Sequence, residues 1–362
     1  MKFPSFDMER MQSTWEHRVK YDLSESGVEA LTLEEATRDA KELMRSKLGY
    51  AEGVGREATR ALVSSFHPGS DAKNVLITTG TSEANFLALV TLVSAGDEVV
   101  IVMPNYMQVH GIANGIGARV REVWLREERG WRIDLDALAA AMTDRTKLIC
   151  ICTPNNPTGQ VLSRSEIQLI ATIAAKHGAW ILSDEVYRGA ELDGNESPSF
   201  SGRGERIVVT GGLSKVYGLP GLRIGWLVAP EPALQAALGV KDYTTIAPAT
   251  LSESLAEIAL ERREQLLKRA RFILTERWPM LEDWASTHSR ELHWTPPQAG
   301  GICFFSYRFP IESMTLVDRL IREYSTMVVP GIHFRAERHL RIGFGMESRK
   351  LHAGLAAIDR LL

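Results

Sequence analysis

Between Asn74 and Val228 short β-rich runs alternate with longer amphipathic stretches, and that rhythm restricts the fold more than any other feature of the chain. The pattern predicts strands over 75–78, 98–102, 119–124, 148–153, 180–183, 207–210 and 224–228. It predicts helices over 82–93, 106–115, 135–142 and 167–176, with Asp134 capping the third and a Ser163/Glu166 capping box opening the fourth. Strands and helices of these lengths in alternation make an α/β domain, a mostly parallel sheet covered on both faces. After Pro248 the character changes. Residues 251–285 read as a long charged helix interrupted late by Pro279. Residues 293–362 hold strands at 302–307 and 339–344 and helices at 315–324 and 350–362. A chain of 362 residues exceeds what one core usually supports. The expectation is a large domain over residues 40–250 and a smaller α+β domain built from residues 1–39 with 251–362.

Charge and composition exclude several classes of function. Forty-two Lys and Arg against 45 Asp and Glu leave a net charge of −3, with no global footprint for nucleic acid or an anionic membrane. No uncharged apolar run reaches the roughly 18 residues that a membrane helix needs. Asp7, Glu9 and Arg10 stand where a signal peptide would be apolar, so a cytoplasmic location is expected. Three Cys make no disulfide framework; Cys150 and Cys152 share one face of a predicted buried strand and read as core. Nine scattered His show no metal-ligand spacing, and no metal site is expected.

Five clusters follow predicted strands or open the helices after them, where sheets of this kind bind ligands. In Thr78-Thr79-Gly80-Thr81-Ser82-Glu83-Ala84 a strand turns into a helix start, whose free N–H groups and dipole suit a phosphate; an ordinary Thr/Ser cap has the same pattern. Lys215 lies between Thr210 and Arg223 with no charged residue for several positions on either side. Partial desolvation would lower its pKa and favour the neutral amine that forms a Schiff base. Arg223 can return to grip a phosphate. In Ser183-Asp184-Glu185-Val186-Tyr187 a carboxylate ends a strand, which is costly near the interior unless it meets a cation such as a protonated pyridine nitrogen. Tyr187 can donate to a phenolate oxygen on such a ring. A structural Asp capping the turn is the alternative, and Glu185 reads as structural. In Thr153-Pro154-Asn155-Asn156-Pro157-Thr158-Gly159 two prolines and a glycine hold Asn156 at the sheet edge. Tyr106, after Pro104-Asn105, suits stacking on a flat heterocycle or plain core packing.

Three of these fragments occur in a telling order: NNPTG at 155–159, SDEVY at 183–187, and Ser-Lys-x-x-Gly-x-x-Gly-x-Arg from Ser214 to Arg223. On them the chain resembles, over essentially its whole length, the class I/II aminotransferases of fold type I, the pyridoxal-phosphate superfamily typified by aspartate aminotransferase. The resemblance implies a large domain whose mostly parallel sheet is sandwiched by helices, plus a smaller α+β domain. It implies pyridoxal 5′-phosphate as cofactor, with Lys215 as its Schiff-base lysine (the internal aldimine) and as proton carrier. It further implies that Asp184 pairs with the pyridinium nitrogen, that Tyr187 and Asn156 contact the phenolic oxygen, and that Tyr106 stacks on the ring. Gly80, Thr81, Ser82, Ser214 and Arg223 would hold the phosphate. Tyr50, in Gly49-Tyr50-Ala51-Glu52-Gly53, matches a tyrosine that reaches the phosphate across a dimer interface. Arg341, in His339-Leu340-Arg341-Ile342-Gly343, matches the arginine for the substrate α-carboxylate. Gly27 matches a segment that closes over that carboxylate, with Asn156 beside the substrate. One departure is Gly212, where many relatives carry a hydroxyl residue that binds phosphate, so weaker cofactor retention is expected.

The implied activity moves an amino group between an L-amino acid and a 2-oxo acid, in a homodimer with shared active sites. The alternative on the same scaffold is a pyridoxal-phosphate lyase or a cyclising β/γ-replacement enzyme; the segment 21–28 and the short chain resemble such relatives as well. A non-enzymatic effector domain would need a basic DNA-binding module ahead of residue 24, and a nicotinamide dehydrogenase would need a Gly-x-Gly-x-x-Gly turn that 79–84 lacks. No second arginine for a dicarboxylate side chain is evident. Trp15, His17 and Tyr21 suit an aromatic or amphipathic pocket or, equally, plain packing of the N-terminal segment, and His333 is a candidate for contact with a substrate side chain.

Overall fold

The computed structural model describes residues 2–37 and 43–361. Its centre is a seven-stranded sheet in the order Val75–Thr78, Gly225–Val228, Ile207–Gly212, Trp180–Asp184, Thr146–Cys152, Glu98–Met103, Arg119–Trp124. All run parallel except Gly225–Val228, which is antiparallel to both of its neighbours. The β-branched runs are buried along almost their whole length because helices cover both faces. Alternate residues feed two cores. Leu76, Ile101, Cys150, Leu182 and Val208 meet the helices Gly80–Leu92, Gln108–Ile116 and Glu231–Lys241, whereas Ile77, Val100, Ile149, Ile181 and Val209 face the opposite layer. Arg119–Trp124 is half exposed, as an edge strand should be.

The second sheet is antiparallel, in the order Val329–Pro330, His339–Gly343, Ile302–Tyr307, Leu292–Trp294. A parallel pair, Tyr21–Asp22 with Thr326–Met327, ties the N-terminal segment to this smaller unit. Element ends differ from expectation by up to four residues: Leu135–Ala141 and Arg164–Lys176 carry their predicted Asp134 cap and Ser163/Glu166 box, and the last helix runs Ser348–Ile358. The expected domain boundary at residues 39 and 40 lies outside the described residues, as does Leu362.

The long helix is the clearest correction. Two helices, Thr250–Glu261 and Arg263–Thr287, replace one, and Pro279 sits inside the second without ending it. Side chains drawn to different places account for the break. Arg262 Nη1 donates to the Glu35 carbonyl at 3.0 Å, while Arg263 turns inward to Glu196 at 2.7 Å and lies 4.5 Å from the centre of the Phe66 ring. Pro279 removes one N–H, but the partner carbonyl belongs to the exposed Thr275 and can be hydrated.

Candidate active site

Parallel strands deliver their carboxyl ends to one edge, and the antiparallel Gly225–Val228 begins at that same edge. Gly225 pairs with both Thr78 and Gly212. Arg223, two residues earlier, therefore arrives beside the start of the helix Gly80–Leu92. Gly80 has φ +76, and a Cβ there would stand 2.4 Å from Arg223 Nη2, so glycine lets the guanidinium lie against the helix N-terminus. The Thr81 hydroxyl is buried without a hydrogen-bond partner. A helix dipole, a guanidinium, that hydroxyl and the adjacent Ser82 and Ser214 converge on one cleft, a cradle matched to a phosphate dianion.

Gly212 gains a meaning that its spacing did not suggest. A Cβ at this position would stand 2.5 Å from Thr81 Oγ1 and 3.1 Å from the Ile224 carbonyl. The space of a side chain at 212 is taken by the Thr81 hydroxyl.

Next along the edge, Asp184 ends the strand Trp180–Asp184 and is 8% exposed. Its Oδ2 accepts from Asn85 Nδ2 at 2.8 Å and its Oδ1 from the Val186 N–H at 3.1 Å. The Thr210 hydroxyl donates to Asn85 Oδ1 at 2.7 Å, which fixes the amide so that its NH2 faces the carboxylate. Burial raises the Asp184 carboxyl above its ordinary range, and the Asn85 and Val186 donors act against that rise. No Lys, Arg or His forms an ion pair with it among the described residues. A buried carboxylate held by neutral donors and facing a cleft suits a cationic ring nitrogen.

Tyr187 donates to Ser26 Oγ at 2.8 Å and accepts from Asn156 Nδ2 at 3.3 Å; burial pushes its phenol upward, so it stays protonated. Asn156 Oδ1 in turn accepts from Arg341 Nη1 at 2.9 Å. Arg341 comes from the small sheet, where it pairs with Phe304 and Val329, yet its guanidinium enters the cleft. It is 1% exposed, Nη2 donates to the Ser24 carbonyl at 2.5 Å, and Nε has no partner.

Lys215 corrects an expectation. It has no charged neighbour in sequence, but Glu25 Oε1 lies 2.8 Å from its Nζ. Burial alone would lower the ammonium; the Glu25 carboxylate and the Tyr187 hydroxyl outweigh it, and the net shift is upward. Glu25 moves the other way. Burial would raise its carboxyl, but Lys215 and the N–H groups of Gly27 and Ser26 bring it down to about 2.

Thr81, Ser82, Tyr106, Asn156, Asp184, Tyr187, Ser214, Lys215, Arg223 and Arg341 thus share one cleft, with Gly80 against Arg223. Gly27 lies behind it: a Cβ there would meet the Lys215 carbonyl at 3.1 Å, and its N–H is taken by Glu25. Tyr50 is 92% exposed and outside this cleft. Tyr106 lines the cleft with its hydroxyl on Glu9 at 2.7 Å and its ring against Phe6, 5.0 Å between centroids. Glu185 is structural, accepting from the Ser183 hydroxyl and the Phe200 N–H.

Other expectations hold only in part. Cys152 is buried but faces the cleft floor with Val186 and Tyr187 rather than the core that holds Cys150. Trp15, His17 and Tyr21 do not line the cleft. His333 lies instead in a larger apolar groove of about 850 Å³ between the N-terminal residues and the helix Gln108–Ile116, which holds none of the groups that hold or move charge above. Sequence reasoning missed Asn85, Glu25 and Ser26, and also Glu9, Gln12 and Glu16 of the N-terminal segment. Asn85 left a trace: it stands four residues after Thr81, a second polar group on the buried face of one helix. Among the described residues no group of acidic, His and Cys side chains could hold a metal, and no helix is long and apolar enough to cross a membrane.

Across residues 19–358 the chain matches the sequence model of the family described as aminotransferase class I and II. It is 31% identical over 351 residues to the capreomycidine synthase of Streptomyces vinaceus, covering 95% of this chain and 90% of that protein. It is 29% identical over 332 residues to aromatic-amino-acid aminotransferase 2 of Thermococcus litoralis, covering 86% and 84%. The crystal structure of a PLP-dependent aminotransferase from Streptococcus suis 89-1591 has a TM-score of 0.94 to this chain at 31% identity, covering 100% of this chain and 98% of that one.

Proposed function

This chain belongs to the class I and II aminotransferase family, and from that premise we propose that the cleft binds pyridoxal 5′-phosphate and transfers the amino group of an L-amino acid to a 2-oxo acid. The observation that carries the reading is a coincidence on one sheet edge. The Lys215 amine, the buried Asp184 carboxylate without a cationic partner, and the cradle of Gly80, Thr81 and Arg223 all open into the same cleft. The residues present fit the cofactor, since the unpartnered Thr81 hydroxyl and the Arg223 guanidinium lying against Gly80 suit its phosphate and Asp184 suits its ring nitrogen. When bound, the cofactor supplies an aldehyde that takes up amino groups and a ring that withdraws electrons from the substrate Cα.

The residues divide the work by position. Gly80, Thr81, Ser82, Ser214 and Arg223 hold the phosphate. Asp184 keeps a proton on the ring nitrogen, and Asn85 keeps Asp184 aimed. Tyr187 and Asn156 would hold the ring's phenolic oxygen, and Tyr106 would stack on the ring. Arg341 holds the substrate α-carboxylate with the N–H that lacks a protein partner. Lys215 Nζ moves the proton at Cα, and for this it must first give up the proton that Glu25 stabilises. Tyr50, exposed and distant from its own cleft, is assigned to a homodimer in which it reaches the neighbouring site.

A second reading has one observation in its favour: the 31% identity to a capreomycidine synthase. Candidate amino acids mixed with the holoenzyme, without an oxo acid, separate the two. Stoichiometric conversion of cofactor to pyridoxamine phosphate supports transfer. Catalytic release of ammonia or of a cyclised product, with the cofactor unchanged, contradicts it.

A further inference from the structure

The N-terminal helix Asp7–Trp15, with its cap residue Glu16, turns a face of acceptors toward the cleft. Glu9, Gln12 and Glu16 recur at i, i+3 and i+7, the spacing that stacks side chains on one side of a helix. All three line the cleft that holds Lys215 and Arg341. Glu9 is partly buried and accepts from the Tyr106 hydroxyl at 2.7 Å. A phenol does not neutralise a carboxylate, and no Lys, Arg or His pairs with Glu9 among the described residues. Glu16 sits nearer solvent, and its ion-pair partner among the described residues is His17, at 3.4 Å, whose side chain is 90% exposed.

The opposite pole is built, not incidental. Arg341 is 1% exposed, its two bonded nitrogens donate to the neutral oxygens of Asn156 and Ser24, and Nε has no partner. A buried guanidinium served by neutral acceptors with one N–H free is matched to a carboxylate. The two poles are mechanically joined, because Gln12 Nε2 donates to the same Ser24 carbonyl at 3.2 Å and to Ser24 Oγ at 3.0 Å. The cations lining the cleft are Lys215, Arg223 and Arg341; Lys215 is paired with Glu25, Arg223 lies against Gly80, and Arg341 is bonded to Asn156 and Ser24 and acts on Glu9 only through space, so none is hydrogen-bonded to Glu9 among the described residues. A dicarboxylic substrate would set its second carboxylate against Glu9 and Glu16. An apolar side chain would desolvate Glu9 with nothing in return.

We infer that the amino donor is an L-amino acid with a cationic side chain, a guanidinium or an ammonium, held by Glu9 and Glu16 while Arg341 holds its α-carboxylate. This rests on the amino-transfer reading above and adds the substrate class to it. Glu9 and Glu16 act on specificity, not on the chemical step.

The test uses the holoenzyme and pairs of amino acids that differ in charge but little in shape: L-arginine with L-citrulline, and L-lysine with L-norleucine. The cofactor absorbance reports each half-reaction. Arginine should exceed citrulline in kcat/KM by about tenfold or more, mainly through KM, and the ratio should shrink as salt rises. Glu9→Gln should bring the ratio close to one, Glu16→Gln should lower it about threefold, and Glu16→Asp should keep it. A merely structural role would slow both members of a pair and leave their ratio alone. Equal rates for the charged and neutral partners, or a ratio unmoved by Glu9→Gln and Glu16→Gln, would overturn this inference and leave amino transfer standing. An absorbance that no amino acid changes would overturn both.

Discussion

One wall of the cleft is a sheet edge, and the facing wall is assembled from the N-terminal helix, the segment around Ser24 to Gly27, and one strand of the small sheet. On the first wall Asp184, Asn156, Lys215 and Arg223 stand within a few residues of strand ends, so backbone pairing fixes where each side chain starts. On the second, Glu9, Glu25 and Arg341 come from positions up to 332 residues apart and are held by side-chain bonds, Glu9 to Tyr106, Glu25 to Lys215, and Arg341 to Asn156 and Ser24. The first wall carries groups that any substrate would need. The second adds Arg341 for the α-carboxylate common to all amino-acid substrates, together with carboxylates, nearer to solvent, whose charge selects among side chains. Chemistry is set by strand termini and selection by the elements laid over them.

If this division holds, the largest loss comes from the sheet wall. Asp184→Asn removes a buried charge whose charge-assisted bond to a ring nitrogen is worth up to about 3 kcal/mol, so kcat should fall about 10²-fold while the protein remains folded. Single-turnover absorbance kinetics with matched far-UV spectra check this; an unchanged kcat would break the comparison. Arg341→Lys keeps the charge but loses the fork that serves Asn156, Ser24 and the carboxylate, and it should raise KM about tenfold with a smaller effect on kcat. Steady-state kinetics against one amino donor measure the split.

Gly212→Ser sharpens the picture within the sheet wall. Its Cβ would stand 2.5 Å from Thr81 Oγ1, so cofactor affinity should fall severalfold, and Thr81→Ala in the same chain should recover part of the loss. Equilibrium dialysis of pyridoxal phosphate reads both variants without turnover.

Glu25→Gln should have the smallest effect at neutral pH and the most distinctive dependence on it. In the native protein Glu25 acts against the burial that lowers the Lys215 amine. Without the carboxylate Lys215 loses its proton at lower pH, and the apoprotein should capture pyridoxal phosphate faster near neutrality. The acid side has a definite sign. Glu25 is held at about 2 against an ordinary 4.5, so the pair's stabilisation is whole above 4.5 and is lost as pH falls toward 2. At the other end Lys215 is raised, and its share is lost only as pH climbs above its ordinary 10.5. Acid titration followed by fluorescence should show Glu25→Gln converging on the native protein at the low end of that window.

The same two walls differ in how far the sequence reveals them. Alternation of β-rich and amphipathic runs was enough for the large sheet, and NNPTG, SDEVY and the Ser214–Arg223 run were enough for its functional edge, because each motif is contiguous and follows a strand. The facing wall left little trace. Glu25 and Lys215 meet across 190 positions, so an amine that looks isolated in the chain has a carboxylate as its partner in space. Glu9, Gln12 and Glu16 follow ordinary helical spacing, which a solvated face shows equally well. Pro279 misled because proline breaks helices on average, whereas here the carbonyl it leaves without a partner belongs to the exposed Thr275, which water can reach, and the break falls at Arg262, where two arginines are drawn apart. Gly212 read as a lost hydroxyl; the packing shows that Thr81 occupies the space.

The central claim is that Lys215 carries the cofactor inside this cleft. Borohydride reduction of the protein loaded with pyridoxal phosphate, followed by peptide mass mapping, tests it directly. The account predicts one stable phosphopyridoxyl adduct, on the peptide containing Lys215, absent from Lys215→Ala. An adduct on another lysine, or a protein that takes up no cofactor, would contradict it.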